Sequence, residues 1–199
     1  MKPDVLVRTC PKYLIKHYSR RRADEFLEDF RPGKEMLGIT NGQFSLADLI
    51  ESLVAWCGGT VNSLDIATWT ASGYDAARML DLVESGKCGR MRWVVDDIFT
   101  KRQPELSRAL LKQGSEIRIL KTHAKFAILR GAERSCVLRT SMNLNANPRL
   151  EFFEVSDNDE LTAFFTGLVD KIYANDENRR VRLADIADEE ESWLAGLEL

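Results

Sequence analysis

The chain has 199 residues, of which 44% are hydrophobic and 30% charged, which is enough for one domain with a buried core. A formal net charge of −3 argues against a protein that coats nucleic acid through its overall charge, but it allows a local basic groove. The sequence has neither the apolar core of a signal peptide nor a run near the roughly 20 apolar residues of a membrane span. We therefore expect a cytoplasmic protein.

The four cysteines are scattered rather than paired at C-x-x-C spacing, and the two histidines, His17 and His123, are not close to them in sequence. This pattern predicts no zinc site, and nothing else in the sequence indicates a metal or a cofactor. Solitary cysteines are typical of a reducing compartment, where each packs as a small apolar residue. They are Cys10, Cys57, Cys88 and Cys136.

Composition divides the chain into three parts. Residues 1–33 are rich in Lys and Arg and end at a Pro-Gly pair, and we interpret them as a basic N-terminal appendage with a helix over 12–30. Residues 34–176 alternate between strand and helix patterns and are interpreted as the domain. Residues 177–199 have the pattern of an acidic amphipathic tail helix.

Within the domain, strand patterns alternate with helical patterns and later follow one another directly. Ser45 is a predicted helix cap, and Gly58-Gly59 is predicted to end the same helix. This order predicts an α/β fold with a mixed, largely parallel sheet flanked by helices on both faces. The predicted strands cover 34–40, 63–70, 90–98, 116–120, 123–129, 135–141 and 151–156, and the predicted helices 45–57, 74–85, 103–113 and 157–174.

Four polar residues stand out at two predicted strand ends. His123 and Lys125 are two apart at the start of one strand, and Ser141 and Asn143 are two apart at the end of the next. Residues i and i+2 of a strand point to the same face, so each pair projects its side chains together. If the two strands form a hairpin, all four groups converge.

These residue types suit the cleavage of phosphodiesters. A neutral imidazole is a nucleophile near pH 7, and an ammonium stabilises the charge that develops on phosphate oxygens. Ser and Asn side chains supply further hydrogen bonds to those oxygens. A carboxylate can fix the tautomer of the imidazole by accepting from its other nitrogen, and Glu151 is the first candidate, with Glu154 the second.

The run from His123 to Glu151 resembles the phospholipase D superfamily, whose pattern is His-x-Lys-x4-Asp, then Gly-Ser-x-Asn and a downstream Glu. The sequence departs from it where Arg130 replaces the Asp and Thr140 replaces the Gly. The resemblance implies that fold over about residues 34–175. It also implies catalytic roles for His123, Lys125, Ser141, Asn143 and Glu151.

The family brings two His-x-Lys motifs to one site, where one histidine forms a phosphohistidine and the other protonates the leaving oxygen, without a metal. His17 is followed by Ser19 rather than Lys, so this chain has a single motif. The resemblance to the small dimeric bacterial nucleases of the family therefore implies a homodimer that shares one site and cleaves nucleic acid.

Three alternatives remain open at this point. The change at Arg130 allows a non-catalytic nucleic-acid-binding module on the same fold, and a lipid phosphodiesterase is also compatible with the motif. Asp96 and Asp97 suggest a metal-dependent nuclease, but adjacent strand residues point to opposite faces. The basic cluster Arg20-Arg21-Arg22 is either a solvated surface or a contact to a nucleic-acid backbone.

Overall fold

The computed structural model describes residues 22–146 and 148–186, together with the backbone of 13–16. These residues form one nine-stranded sheet of order β1-β2-β8-β7-β6-β3-β4-β5-β9, six α-helices and a short 3₁₀ turn at Leu183–Asp185. The strands are β1 Tyr13–Lys16, β2 Glu35–Asn41, β3 Val61–Thr68, β4 Cys88–Val95, β5 Glu116–Ile119, β6 Phe126–Arg130, β7 Ser135–Thr140, β8 Leu150–Ser156 and β9 Arg179–Arg180. The helices are α1 Ala23–Leu27, α2 Leu46–Trp56, α3 Gly73–Glu84, α4 Asp97–Arg102, α5 Pro104–Lys112 and α6 Asp159–Ala174.

The sheet is mixed and has helices on both faces, as predicted, but the prediction that it is largely parallel is wrong. Only the pairs β1–β2, β3–β4 and β4–β5 are parallel, and the other five pairs are antiparallel. The parallel pairs are those joined through helices. A short link such as residues 131–134 between β6 and β7 returns the chain antiparallel, because a parallel crossover needs about a dozen residues.

The core has two parts, one on each face of the sheet. The larger part lies under the helices α1 to α5 and includes Trp93 and Phe153, both fully buried. The smaller part lies under α6 and includes Ile128 and Val137. Burial of apolar area on both faces explains why the central strands have nearly continuous apolar sequences.

The segment before Lys34 contributes to the larger core. Phe26 of α1 packs on Phe153 with ring centroids 4.3 Å apart and on Phe44 at 6.1 Å. A Cβ at Gly38 of β2 would overlap the rings of Phe26 and Phe153, so the glycine makes room for them. The described part of the predicted appendage thus packs with the domain, while the division at residue 33 stays a prediction.

Two predictions concern the ends of the chain. The single helix predicted over 12–30 is wrong, because 13–16 pair with β2 as a strand and the helix that follows covers only Ala23–Leu27. At the other end, Val181 and Ile186 are buried in the larger core. Of the acidic tail helix predicted over 177–199, residues 177–186 form β9 and a 3₁₀ turn instead, and residues 187–199 lie outside the described residues.

The predicted boundaries of α2 are confirmed by its capping interactions. Ser45 Oγ accepts from Asp48 N at 3.2 Å, and the Asp48 carboxylate accepts from Ser45 N at 2.6 Å, which is a capping box. At the other end of the helix, Gly58 and Gly59 have φ of 107° and 88°, a backbone conformation that residues other than glycine rarely adopt.

No helix in the described ranges is long and apolar enough to cross a membrane.

A buried ion network joins three central strands to α6. Asp65 of β3, only 1% exposed, binds Arg92 of β4 through two contacts of 2.6 and 2.7 Å and Arg130 of β6 at 2.8 Å. Arg92 also reaches Asp170 of α6 at 2.7 Å. Arg130, which replaces the Asp of the family pattern, therefore has a structural partner on the neighbouring strand.

Replacing Arg130 by Asp should destabilise the protein by about 3 kcal/mol, because a carboxylate would then face buried Asp65. Denaturation in urea, followed by tryptophan fluorescence, measures the change. The control is Arg90→Asp, which breaks the exposed Arg90–Glu116 pair and should cost less than about 1 kcal/mol. Equal losses in the two variants would contradict the structural role of the network.

Candidate active site

Antiparallel register places the predicted site residues together at one end of the central strands, and this row of strand ends is called the site edge of the sheet. Phe126, the first residue of β6, is paired with Arg139 near the end of β7, and Thr140 is paired with Phe153 near the start of β8. Lys125 precedes β6 and Ser141 follows β7, so both lie at this edge. The parallel strands β3, β4 and β5 end at the same edge, which is where loops can bring further side chains.

His123 and Lys125 lie in the loop before β6 rather than in the strand that the sequence predicts. Their side chains nevertheless meet, with Lys125 Nζ 3.0 Å from His123 Nδ1 and 3.5 Å from Nε2. The ammonium also donates to the carbonyl of His123 at 2.7 Å. The imidazole is exposed while the lysine is only 8% exposed, so the nucleophile candidate faces solvent above a buried cation.

Two residues outside the motif hold the histidine loop. Asp96, the N-cap of α4, accepts from Thr122 N at 3.3 Å and so ties the loop to the end of β4. The ring of Trp69, just after β3, lies beside the imidazole of His123 with centroids 5.7 Å apart. These contacts restrict where the exposed imidazole can point.

Ser141 and Glu151 are joined directly. Ser141 Oγ donates to Glu151 Oε2, and the same hydroxyl accepts from Phe152 N at 3.0 Å. Glu151 forms no hydrogen bond to His123 among the described residues, so the contact expected between this carboxylate and the imidazole is replaced by one to Ser141. Glu154, the second candidate for that role, instead forms an ion pair with Arg139 at 2.8 Å.

The Asn143 loop is anchored by buried polar groups of β3 and α3. Leu144 N donates to Thr68 Oγ1 at 3.2 Å, and Ala146 N donates to Asp75 Oδ2 at 2.9 Å. Asp75 is 1% exposed and also accepts from Ser72 at 2.8 Å. Asn143 Oδ1 is itself buried and has no hydrogen-bond partner among the described residues.

Burial and charge act in opposite directions on the lysine. Desolvation lowers the pKa of the Lys125 ammonium below its ordinary value, and the nearby carboxylate of Glu151 opposes part of that shift. The lysine is thus held near a compensating charge but remains poorly solvated. A phosphate oxygen brought to this place would find a cation that little water screens.

The two departures from the family pattern lie outside this cluster or are compatible with it. Arg130 is at the other end of β6, about 16 Å along the strand from Lys125 at the usual rise per residue. Thr140, in place of the family's Gly, donates through Oγ1 to Phe152 O at 2.7 Å and accepts from Met142 N at 3.0 Å. The hydroxyl therefore shapes the turn that presents Ser141.

The remaining candidates are not part of the cluster. Arg20 and Arg21 lie outside the described residues, and Arg22 is exposed and pairs with Asp24 at 2.6 Å. Asp97, the first residue of α4, pairs with Lys101 at 3.0 Å, and Asp96 is the cap of the same helix. Across the described ranges, no group of three or more His, Cys, Asp or Glu side chains is placed to hold a metal ion.

Sequence reasoning missed several residues that build the site. No motif of the sequence singles out Trp69, Asp75 or Thr68. A usable signal exists for Trp69, because it directly follows a strand at the edge where catalytic loops gather. Asp96, which the sequence suggested only as a metal ligand, caps the next helix at that edge. Asp75 has no such signal, because its partner at residue 146 is 71 positions away.

No protein-family model matches the sequence, and no curated protein matches it. Among solved structures, the chain is similar to Nuc, described as a phospholipase D family member, from Salmonella typhimurium, at 12% identity and a TM-score of 0.56, covering 74% of this chain and 97% of that one. It is similar to NucT from Helicobacter pylori at 16% identity and a TM-score of 0.53, covering 70% and 96%.

A third similar structure is the phosphatidylserine synthase of Haemophilus influenzae, at 15% identity and a TM-score of 0.58, covering 81% of this chain but only 44% of that one. Identities this low carry information on the fold and not on the reaction. Each of the three matches extends over at least 70% of this chain. The chain therefore has the fold of the phospholipase D superfamily.

Proposed function

We propose that the chain is a metal-independent phosphodiesterase that cleaves nucleic-acid phosphodiester bonds in a site shared by two copies. The observation that carries the proposal is the cluster of His123, Lys125, Ser141, Asn143 and Glu151 at one edge of a phospholipase D-like sheet, with His123 and Lys125 in contact. The family resemblance supplies the roles, and the geometry is compatible with them.

In the proposed reaction, a ring nitrogen of His123 attacks phosphorus and forms the P–N bond as the P–O bond to the leaving group breaks. The protonated His123 of the second copy gives its proton to the leaving oxygen. That imidazole then takes a proton from water, the water oxygen attacks phosphorus, and the P–N bond breaks. Lys125 stabilises the phosphate oxygens throughout.

The other three residues support these two. Asn143 binds phosphate through its amide N–H. Glu151 holds the hydroxyl of Ser141 in place and keeps a negative charge close to Lys125. Orientation of the imidazole by Glu151 would require a turn of the exposed His123 ring toward the carboxylate.

The position of Arg130 weighs against the alternative of a non-catalytic binding module. That alternative was raised because Arg130 replaces the Asp of the family pattern. The Arg130 guanidinium, however, is at the far end of β6 and donates to Ser63 at 2.7 Å, to Thr166 at 2.8 Å and to Asp65. A lipid phosphodiesterase is tested by substituting a phospholipid for DNA in the assay below.

The substitution His123→Gln should reduce hydrolysis of DNA and of a bis-aryl phosphodiester in EDTA by at least about 10³-fold, because attack and proton donation are both lost. The control is His17→Gln, which removes the only other histidine. Quenching the wild-type enzyme during turnover should trap a phosphoryl adduct on the peptide that contains His123. Full activity of His123→Gln, or phospholipid cleavage without DNA cleavage, would contradict the proposal.

The substitution Lys125→Met should abolish hydrolysis yet leave the protein at least as stable as the wild type. The lowered pKa of Lys125 means that its charged form is penalised on folding. This penalty is fully present below the folded-state pKa and disappears as pH rises past the ordinary lysine value, so the two melting temperatures should converge in alkali. Lys121→Met, at an exposed position of the same loop, should change neither property.

An exposed apolar patch beside the site supports the second copy. Ile39 of β2 and Phe152 of β8 are paired across the sheet and are 42% and 45% exposed, and Leu150, on the same face, is 74% exposed. Phe152 donates its backbone N–H to Ser141 Oγ, so the strand that carries the patch borders the site. A site that needs two histidines and has one is completed by an identical chain docked there.

The double variant Leu150→Glu/Phe152→Glu should therefore be monomeric by mass measurement and should lose hydrolysis, because no second imidazole enters the site. Its control is Leu183→Glu, 47% exposed at the other end of the sheet, which should keep the mass and rate of the wild type. A monomeric wild type with full activity, or a double variant that stays dimeric, would refute the docking surface.

A further inference from the structure

A basic cleft of about 770 Å³ lies along the two outermost strands on one side of the sheet, β5 and β9, apart from the cluster around His123. Its charged lining has four arginines and two aspartates, a surplus of two positive charges in a chain whose net charge is −3. The sequence allows such a local groove, but the residues that form it come from two separate stretches. They are Arg118, Arg179, Arg180 and Arg182 with Asp176 and Asp185.

The two arginines of β9 are available for a ligand. Arg180 is paired with Arg118 and Arg179 with Ile119 across the β5–β9 ladder. Arg179 and Arg180 are exposed, and neither side chain forms a hydrogen bond or an ion pair with the rest of the described chain. Arg118 is positioned by the ring of Tyr173, 5.1 Å away, and donates to Tyr173 O at 3.1 Å.

The form of the cleft selects a class of ligand. Several guanidinium groups spread along a concave surface suit an extended chain of phosphates, because each planar group can bind two oxygens of one phosphate. None of the described residues that line the cleft is aromatic, so they offer bases no stacking platform and favour recognition through the backbone. A bilayer surface is broad and fits a concave cleft poorly.

The cleft is within reach of the reaction centre. Arg179 lies opposite Ile119, the last residue of β5, and His123 follows four residues later. A strand spacing of about 5 Å and at most about 13 Å of extended chain bring the two Cα atoms within roughly 18 Å. About five nucleotide steps of a B-form duplex span that distance.

We infer that the β5–β9 cleft binds the phosphate backbone of a nucleic acid whose scissile bond lies at His123. The inference rests on the proposed function and names the substrate class of that site. Phosphate binding also explains why arginines are placed on an exposed edge strand. A second explanation is that charge on such a strand discourages pairing with another sheet. Only phosphate binding predicts an effect on nucleic-acid affinity.

Binding of a labelled DNA duplex is measured by fluorescence anisotropy in EDTA at several salt concentrations, in the full chain carrying His123→Gln so that no cleavage interferes. The variant is Arg179→Gln/Arg180→Gln. Its control, Lys87→Gln/Arg90→Gln, removes the same charge from exposed positions at the opposite end of the strands. Hydrolysis of a bis-aryl phosphodiester, which is too small to reach the cleft, is measured with His123 intact.

The β9 variant should bind DNA about tenfold more weakly and should lower the slope of log affinity against log salt by about 2, while Arg179→Lys/Arg180→Lys should keep the slope. Small-substrate hydrolysis should be unchanged, so a failure of the proposed function would be seen separately. Unchanged DNA affinity would overturn the inference. An equal loss in the control, or stronger binding to anionic vesicles than to DNA, would also overturn it.

Discussion

The arrangement of the molecule depends on a carboxylate buried in the middle of the sheet. Asp65 is 1% exposed and is held by Arg92 and Arg130 from the strands on its two sides. A buried carboxylate without partners costs several kcal/mol, so β4 and β6 must keep the register that supplies both arginines. A slip of one residue would turn every side chain of β6 to the other face and remove Lys125 from the site.

That register explains how a departure from the family pattern is accommodated. The acid expected at residue 130 is replaced by Arg, and its guanidinium is paired with buried Asp65 on the neighbouring strand. Because the network is at the far end of β6, its composition can change while His123 and Lys125 keep their place.

Sequence reasoning could predict the strands that carry the site, because apolar runs and flanking turn residues are local signals. It predicted the cap at Ser45 and the convergence of Lys125 with Ser141, which a hairpin requires. It could not predict the sheet direction, since β8 is inserted between β2 and β7 by contacts distant in sequence. For the same reason it missed Asp75, whose role depends on the loop at residue 146, and the strand β9.

The two proposed surfaces lie on opposite sides of the site, and this has a consequence for an assembly of two chains. The apolar patch is on β2 and β8, whereas the basic cleft is on β5 and β9, with the site edge of β6 and β7 between them. A second copy docked at the patch would therefore leave the cleft open. Two-fold symmetry would place one cleft on each side of the paired histidines. A nucleic acid crossing both clefts would pass over the reaction centre, so the symmetry that completes the chemistry would also align the substrate.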